Sequence, residues 1–166
     1  MFKGIKHFLF GFIFLITVTS FNAVNNKVLS DKHDVLKIED VVKLFKKNDY
    51  KKALSSLNIM CNKNNIKAQN LYSQIFYAGN ITPQDFEKAY FWSNIAYLGG
   101  YKKSEKITSL LDDILEEDHK IKINAKIKVF LEKHAKKKNK LAILQLAKYY
   151  LKLADEIDYA NAYKWY

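Results

Sequence analysis

An all-α fold, an α-solenoid of about four antiparallel helix hairpins, is what the sequence predicts, and three observations predict it. Five glycines and a single proline, Pro83, among 166 residues leave too few punctuators for a sandwich or barrel built from tight turns. Apolar residues recur at helical spacing through much of the chain. A short motif also returns at a fixed period, the mark of stacked repeats.

In chain order, the first element is a leader. Lys3, Lys6 and His7 precede an apolar run from Phe8 to Val18, followed by Thr19, Ser20, Phe21, Asn22 and Ala23. This pattern predicts a secretory signal peptide over residues 1–23. As a helix the run would rise only about 16 Å against a hydrocarbon core of roughly 30 Å, so it is short for a membrane span. Cleavage after Ser20 places Val18 and Ser20 at the recognition positions, whereas cleavage after Ala23 places bulky Phe21 at the outer one, which favours Ser20. An uncleaved leader acting as a membrane anchor is the alternative. A linker over 24–33 and a repeat domain over 34–166 follow.

The repeat is read from Asp49, Tyr50 and Ala53, which return as Asp85, Phe86 and Ala89 and again as Asp158, Tyr159 and Ala162, at offsets of 36 and 73 residues. The larger offset is about two periods, so a degenerate copy is expected at Ile121 to Ala125. After the alanine, Tyr90 and Trp92 correspond to Tyr163 and Trp165. Between the markers, Ile107, Leu110, Leu111, Ile114 and Leu115 follow the i, i+3, i+4, i+7, i+8 spacing of one helix face. Leu146, Tyr149, Tyr150 and Leu153 do likewise. Each unit is therefore a helix A, a short connection, and a helix B opened by the aspartate, whose carboxylate caps free backbone N–H groups. The units fall at about 34–65, 66–100, 101–137 and 138–166. Small residues at Ala68, Ala89, Ala96 and Gly99 would let paired helices approach closely.

Composition narrows the function. The chain carries 28 basic residues, all lysine, and a net charge of +11, which would be about +9 without Lys3 and Lys6. Such a charge favours anionic surfaces, yet the absence of arginine removes the bidentate fork typical of nucleic-acid readers, so no nucleic-acid partner is expected. The single cysteine, Cys61, lies on the stripe of Tyr50, Ala53, Leu54 and Leu57 and is assigned to packing. His7, His33, His119 and His134 are dispersed and form no zinc motif, His134 continuing the face of Ile123, Ile127 and Phe130. The acidic run of Asp112, Asp113, Glu116, Glu117 and Asp118 lacks the spacing of a calcium loop and is assigned to a solvated face beside the lysines of 120–140. No catalytic residue, metal or cofactor is proposed. Tyr50, Phe76, Phe86, Tyr90, Trp92, Phe130, Tyr150 and Trp165 are assigned to the core, with Tyr77 and Tyr97 left as candidates for exposure.

The second unit also carries a family resemblance, in Ala68, Tyr72, Ser73, Phe76 and Gly79, then Pro83, Gln84, Asp85, Lys88, Ala89 and Trp92, and finally Ala96 with Gly99 or Gly100. The fourth unit repeats it in Ala142, Leu146, Ala147, Tyr150, Asp158, Ala162, Trp165 and Tyr166. In this pattern the chain resembles the Sel-one-like repeats, a branch of the tetratricopeptide-like helical solenoids. Tyr72 stands in place of the usual leucine and Ile95 in place of an alanine, and the first and third units follow the family mainly by period. The resemblance implies a right-handed superhelix and a noncatalytic scaffold or adaptor that binds a protein or peptide. It also implies that A helices line the inner curve. With Ala68, Tyr72, Phe76 and Gly79 packing, Asn70, Gln74 and Tyr77 would then share an open face, and Lys148 is the counterpart of Gln74 in the fourth unit. Together these readings predict an exported, periplasmic or secreted protein-binding scaffold. The rival readings are a lysine-driven binder of anionic surfaces or membranes and an enzyme with an unrecognised site.

Overall fold

The computed structural model describes residues 37–166. The expected signal peptide, its two cleavage positions, the linker and His33 lie outside the described residues. Eight α-helices and no strand occur among the described residues. They are α1 (Ile38–Lys46), α2 (Tyr50–Asn62), α3 (Ile66–Ala78), α4 (Phe86–Leu98), α5 (Glu105–Ile114), α6 (Glu117–Ala135), α7 (Lys140–Lys152) and α8 (Tyr159–Trp165), with a 3₁₀ turn at Lys102–Ser104 before α5. The fold is all-α, as the composition predicts.

Local chemistry explains where helices begin. Asp49, Asp85 and Asp158 each accept a hydrogen bond from the backbone N–H three residues on, at 3.3, 2.8 and 2.9 Å. The repeated aspartates are thus N-caps of α2, α4 and α8. Helices α3 and α7 have their own caps, Asn65 and Asn139, which accept from Ala68 and Ala142 N–H. In three of these turns the residue just before the cap adopts the left-handed conformation, Asn48, Asn64 and Lys138 having φ of 58°, 62° and 60°. Helix, left-handed residue, cap, new helix is the recurring connection.

Helices α3 and α4 form an antiparallel hairpin. Tyr77 at the end of α3 meets Phe86 at the start of α4, Tyr72 meets Trp92 midway, and Ile66 faces Gly99 at the far end. A Cβ on Gly99 would lie 2.6 Å from Ile66 Cγ2, so the small residue there serves close approach. Ala68, Ala89 and Ala96 are fully buried in the same seam. Helices α1 and α2 pair in the same way, as do α7 and α8.

The third unit departs from the expectation. Helix α5 packs on α4, Leu115 and Glu116 are extended, and after them α6 crosses to pack on α4 and α7; α5 and α6 share little contact. The degenerate copy expected at Ile121 does not open a helix. Helix α6 starts at Glu117, without a side-chain cap, and Ala125 is exposed where its counterparts Ala53, Ala89 and Ala162 are buried. Its core face is instead Ile123, Ile127, Leu131 and Ala135. The α5 stripe is only partly used: Leu111 is buried, whereas Leu110 and Ile114 are 38% and 46% exposed.

Helix α4 is consequently the centre of the domain, packed against α3, α5, α6 and α7. Tyr90, Ile95 and Leu98 are almost wholly buried on it. Cys61 is buried as predicted, and burial pushes its thiol well above the ordinary range, so it is a packing group and not a nucleophile. Tyr50 is a correction. It is exposed, and its hydroxyl donates to Asn48 at 2.7 Å instead of filling the core.

Candidate functional site

Because α6 crosses α4 without closing against α3, an open groove of about 620 Å³ remains between them. Its floor is aromatic. Trp92 stands edge-on to Phe130 at 5.7 Å and to Phe91 at 4.8 Å, and Tyr72 lies 6.1 Å from Trp92 and 4.6 Å from Phe76. Trp92 and Phe76 are buried, while Tyr72, Phe91 and Phe130 keep part of their rings accessible. Packed aromatic rings of this kind present large apolar area with few side-chain torsions to lose on binding.

Three elements supply the walls. From α6 come Lys126, Val129, Phe130 and Lys133, at i, i+3, i+4 and i+7, hence one face. Val129 is 65% exposed. The start of α4 contributes Asp85, Glu87 and Lys88, and α2 contributes Asn58. Asp85 is bound to Lys88 at 2.7 Å, and Lys88 also lies over the Phe76 ring at 5.2 Å. Glu87 lies 3.3 Å from His119 Nδ1. His134 packs at a tilt against Phe130, the ring centroids 4.5 Å apart, and burial, with Lys137 and Lys133 nearby, holds its pKa below the ordinary histidine value.

A smaller polar cavity of about 240 Å³ lies between α4, α5, α6 and the end of α7. Tyr90 reaches into it, its hydroxyl 3.5 Å from Asp112, and burial pushes that phenol up to about 12. Lys120 bridges Asp112 at 3.6 Å and Glu117 at 2.8 Å, so the acidic and basic runs meet here. Among the described residues no group of three His, Cys, Asp or Glu side chains is placed to hold a metal ion. No described helix is long and apolar enough to cross a membrane.

The three residues assigned from sequence to one open face, Asn70, Gln74 and Tyr77, do not form one. Asn70 is the clear correction: it is 5% exposed, and its side-chain oxygen accepts from Ser104 at 2.9 Å. The turn entering α5 lies over this part of α3, an inter-unit contact that helical spacing alone does not reveal. Gln74 is exposed. Tyr77 is half-buried against Phe86, the ring centroids 5.9 Å apart. Lys148 lies elsewhere, beside Tyr97, Gly100, Lys102 and Lys152, where Lys152 donates to the Tyr97 hydroxyl at 2.9 Å.

Sequence reasoning assigned Phe76, Trp92 and Phe130 to the core and did not find the groove they line. The available signal was the pattern Lys126, Val129, Phe130, Lys133, which runs along the edge of the buried stripe of Ile123, Ile127 and Leu131 on the same helix. No protein-family model matches the chain, and comparison with curated proteins and with solved structures returns no match.

Proposed function

We propose that the protein is an exported, noncatalytic protein-binding scaffold of the Sel-one-like type, and that it engages its partner through the groove between α4 and α6. The observation that carries this reading is the aromatic floor of Tyr72, Phe91, Trp92 and Phe130 inside a rim of charged side chains. An apolar centre ringed by polar groups is the arrangement of binding hot spots, where burying an aromatic anchor supplies most of the affinity. The repeated caps and buried alanines support the repeat assignment, and the apolar leader run supports export.

Site-specific photocrosslinking tests the reading. A benzophenone side chain at Val129 should capture a protein of defined mass from the native envelope or secreted fraction, and excess unlabelled protein should suppress the adduct. The same group at Leu144, exposed on α7 away from the groove, should not capture it. Equal capture from both positions, or capture from neither, would count against the groove as the binding site.

A further inference from the structure

The charges around the groove are not equally satisfied, and this bears on what the groove accepts. Both carboxylates of the α4 wall have partners, Asp85 with Lys88 and its own capped backbone, and Glu87 with His119. On the α6 wall, Lys126 and Lys133 are exposed and have no carboxylate within ion-pair distance among the described residues. They stand two helical turns apart, about 10 Å along the axis, with Val129 and Phe130 between them. The groove thus presents two unpartnered cations bracketing an apolar seat.

We infer that the occupant is an acidic peptide segment of another protein, with one large apolar side chain on the Tyr72, Trp92 and Phe130 floor and carboxylates held by Lys126 and Lys133. This rests on the protein-binding reading and adds the chemistry of the partner. A peptide fits the concave site better than a lipid surface does. A flat anionic headgroup layer cannot follow a recess to its aromatic floor, and it would meet the Asp85 and Glu87 carboxylates on the opposite wall. Carboxylates on a chain can instead be spaced to reach only the α6 side. Such pairs give modest affinity with strong dependence on salt, whereas the anchor supplies salt-independent affinity.

The test is selection of a phage-displayed random peptide library on the purified protein, followed by binding of the enriched peptides, synthesised with a fluorophore, to the protein and its variants. Enriched peptides should carry Asp or Glu on both sides of an aromatic or large aliphatic residue. Their affinity should fall tenfold or more in the double variant K126E/K133E and on raising salt from low to several-hundred-millimolar concentration, with an unchanged circular dichroism spectrum and melting temperature. Val129→Asp should abolish binding. Enriched peptides without acidic residues that still depend on Val129 would overturn the acidic specificity while leaving the protein-binding reading in place. Peptides indifferent to both sets of substitutions would overturn both. Cosedimentation with phosphatidylglycerol vesicles, lost in K126E/K133E, together with no acidic enrichment, would assign the two lysines to a membrane surface instead.

Discussion

Gln145 on α7 and Asn64 before α3, 81 residues apart in the chain, share a buried hydrogen bond of 2.7 Å. The same Gln145 side chain donates to the Ile95 carbonyl at 2.8 Å, and Asn64 accepts from Gln69 at 2.9 Å. This amide network ties the fourth unit directly to the second unit and to the turn that precedes it. Truncating it leaves buried polar groups without partners, so Gln145→Ala should cost about 1–3 kcal/mol in denaturant unfolding. Combined with Asn64→Ala it should be clearly non-additive. Strict additivity would mean that the two amides act independently.

Trp92 touches rings from three helices, Tyr72 on α3, Phe91 on its own helix and Phe130 on α6. Trp92→Ala should therefore destabilise the whole domain by about 3–5 kcal/mol, as a large-to-small core substitution. A loss below about 1 kcal/mol would show that the ring serves only the groove surface.

Lys138 is exposed and holds a left-handed conformation, φ 60°, at a turn where Asn48 and Asn64 stand in the equivalent places. A Cβ-bearing lysine is disfavoured there, whereas asparagine tolerates it. Lys138→Asn should raise stability by about 0.5–1 kcal/mol, measured as a higher denaturation midpoint at constant slope. A lower midpoint would contradict the role assigned to this turn.

Asp85 has a pKa below the ordinary aspartate value. Burial alone would raise it, but the hydrogen bonds and charge of Lys88 outweigh that effect. A carboxyl depressed in the folded state contributes stability above its unfolded pKa, about 3.9, and loses it as pH falls through the folded value. Stability should thus decline from roughly pH 4 downward, and Asp85→Asn should flatten that limb in acid titrations followed by circular dichroism. At neutral pH Asp85→Ala should cost about 0.5–2 kcal/mol through loss of the cap. An unaltered acid limb would remove Asp85 from the explanation.

The leader reading predicts the N-terminus of the protein isolated from its native source. Mass spectrometry should place it between Phe21 and Asn25. An intact Met1 on cytoplasmic protein would contradict export.

Sequence determined those features of this protein that depend on neighbours along the chain. The caps at Asp49, Asp85 and Asp158 join groups three residues apart, and the buried alanines four residues beyond them follow from the same helical register. Helical class, the starts of α2, α4 and α8, and the burial of Cys61, Leu146 and Trp92 were legible for that reason. Tertiary structure decided what depends on which faces meet. Gln145 finds Asn64 because α7 packs directly on α4. Asn70 is covered by the turn of a neighbouring unit, and Phe130 joins Tyr72 and Trp92 in one groove because α6 packs on α4. Periodicity marks a face as apolar, but the free energy of burial depends on the partner surface, and the partner surface is supplied by residues distant in the chain.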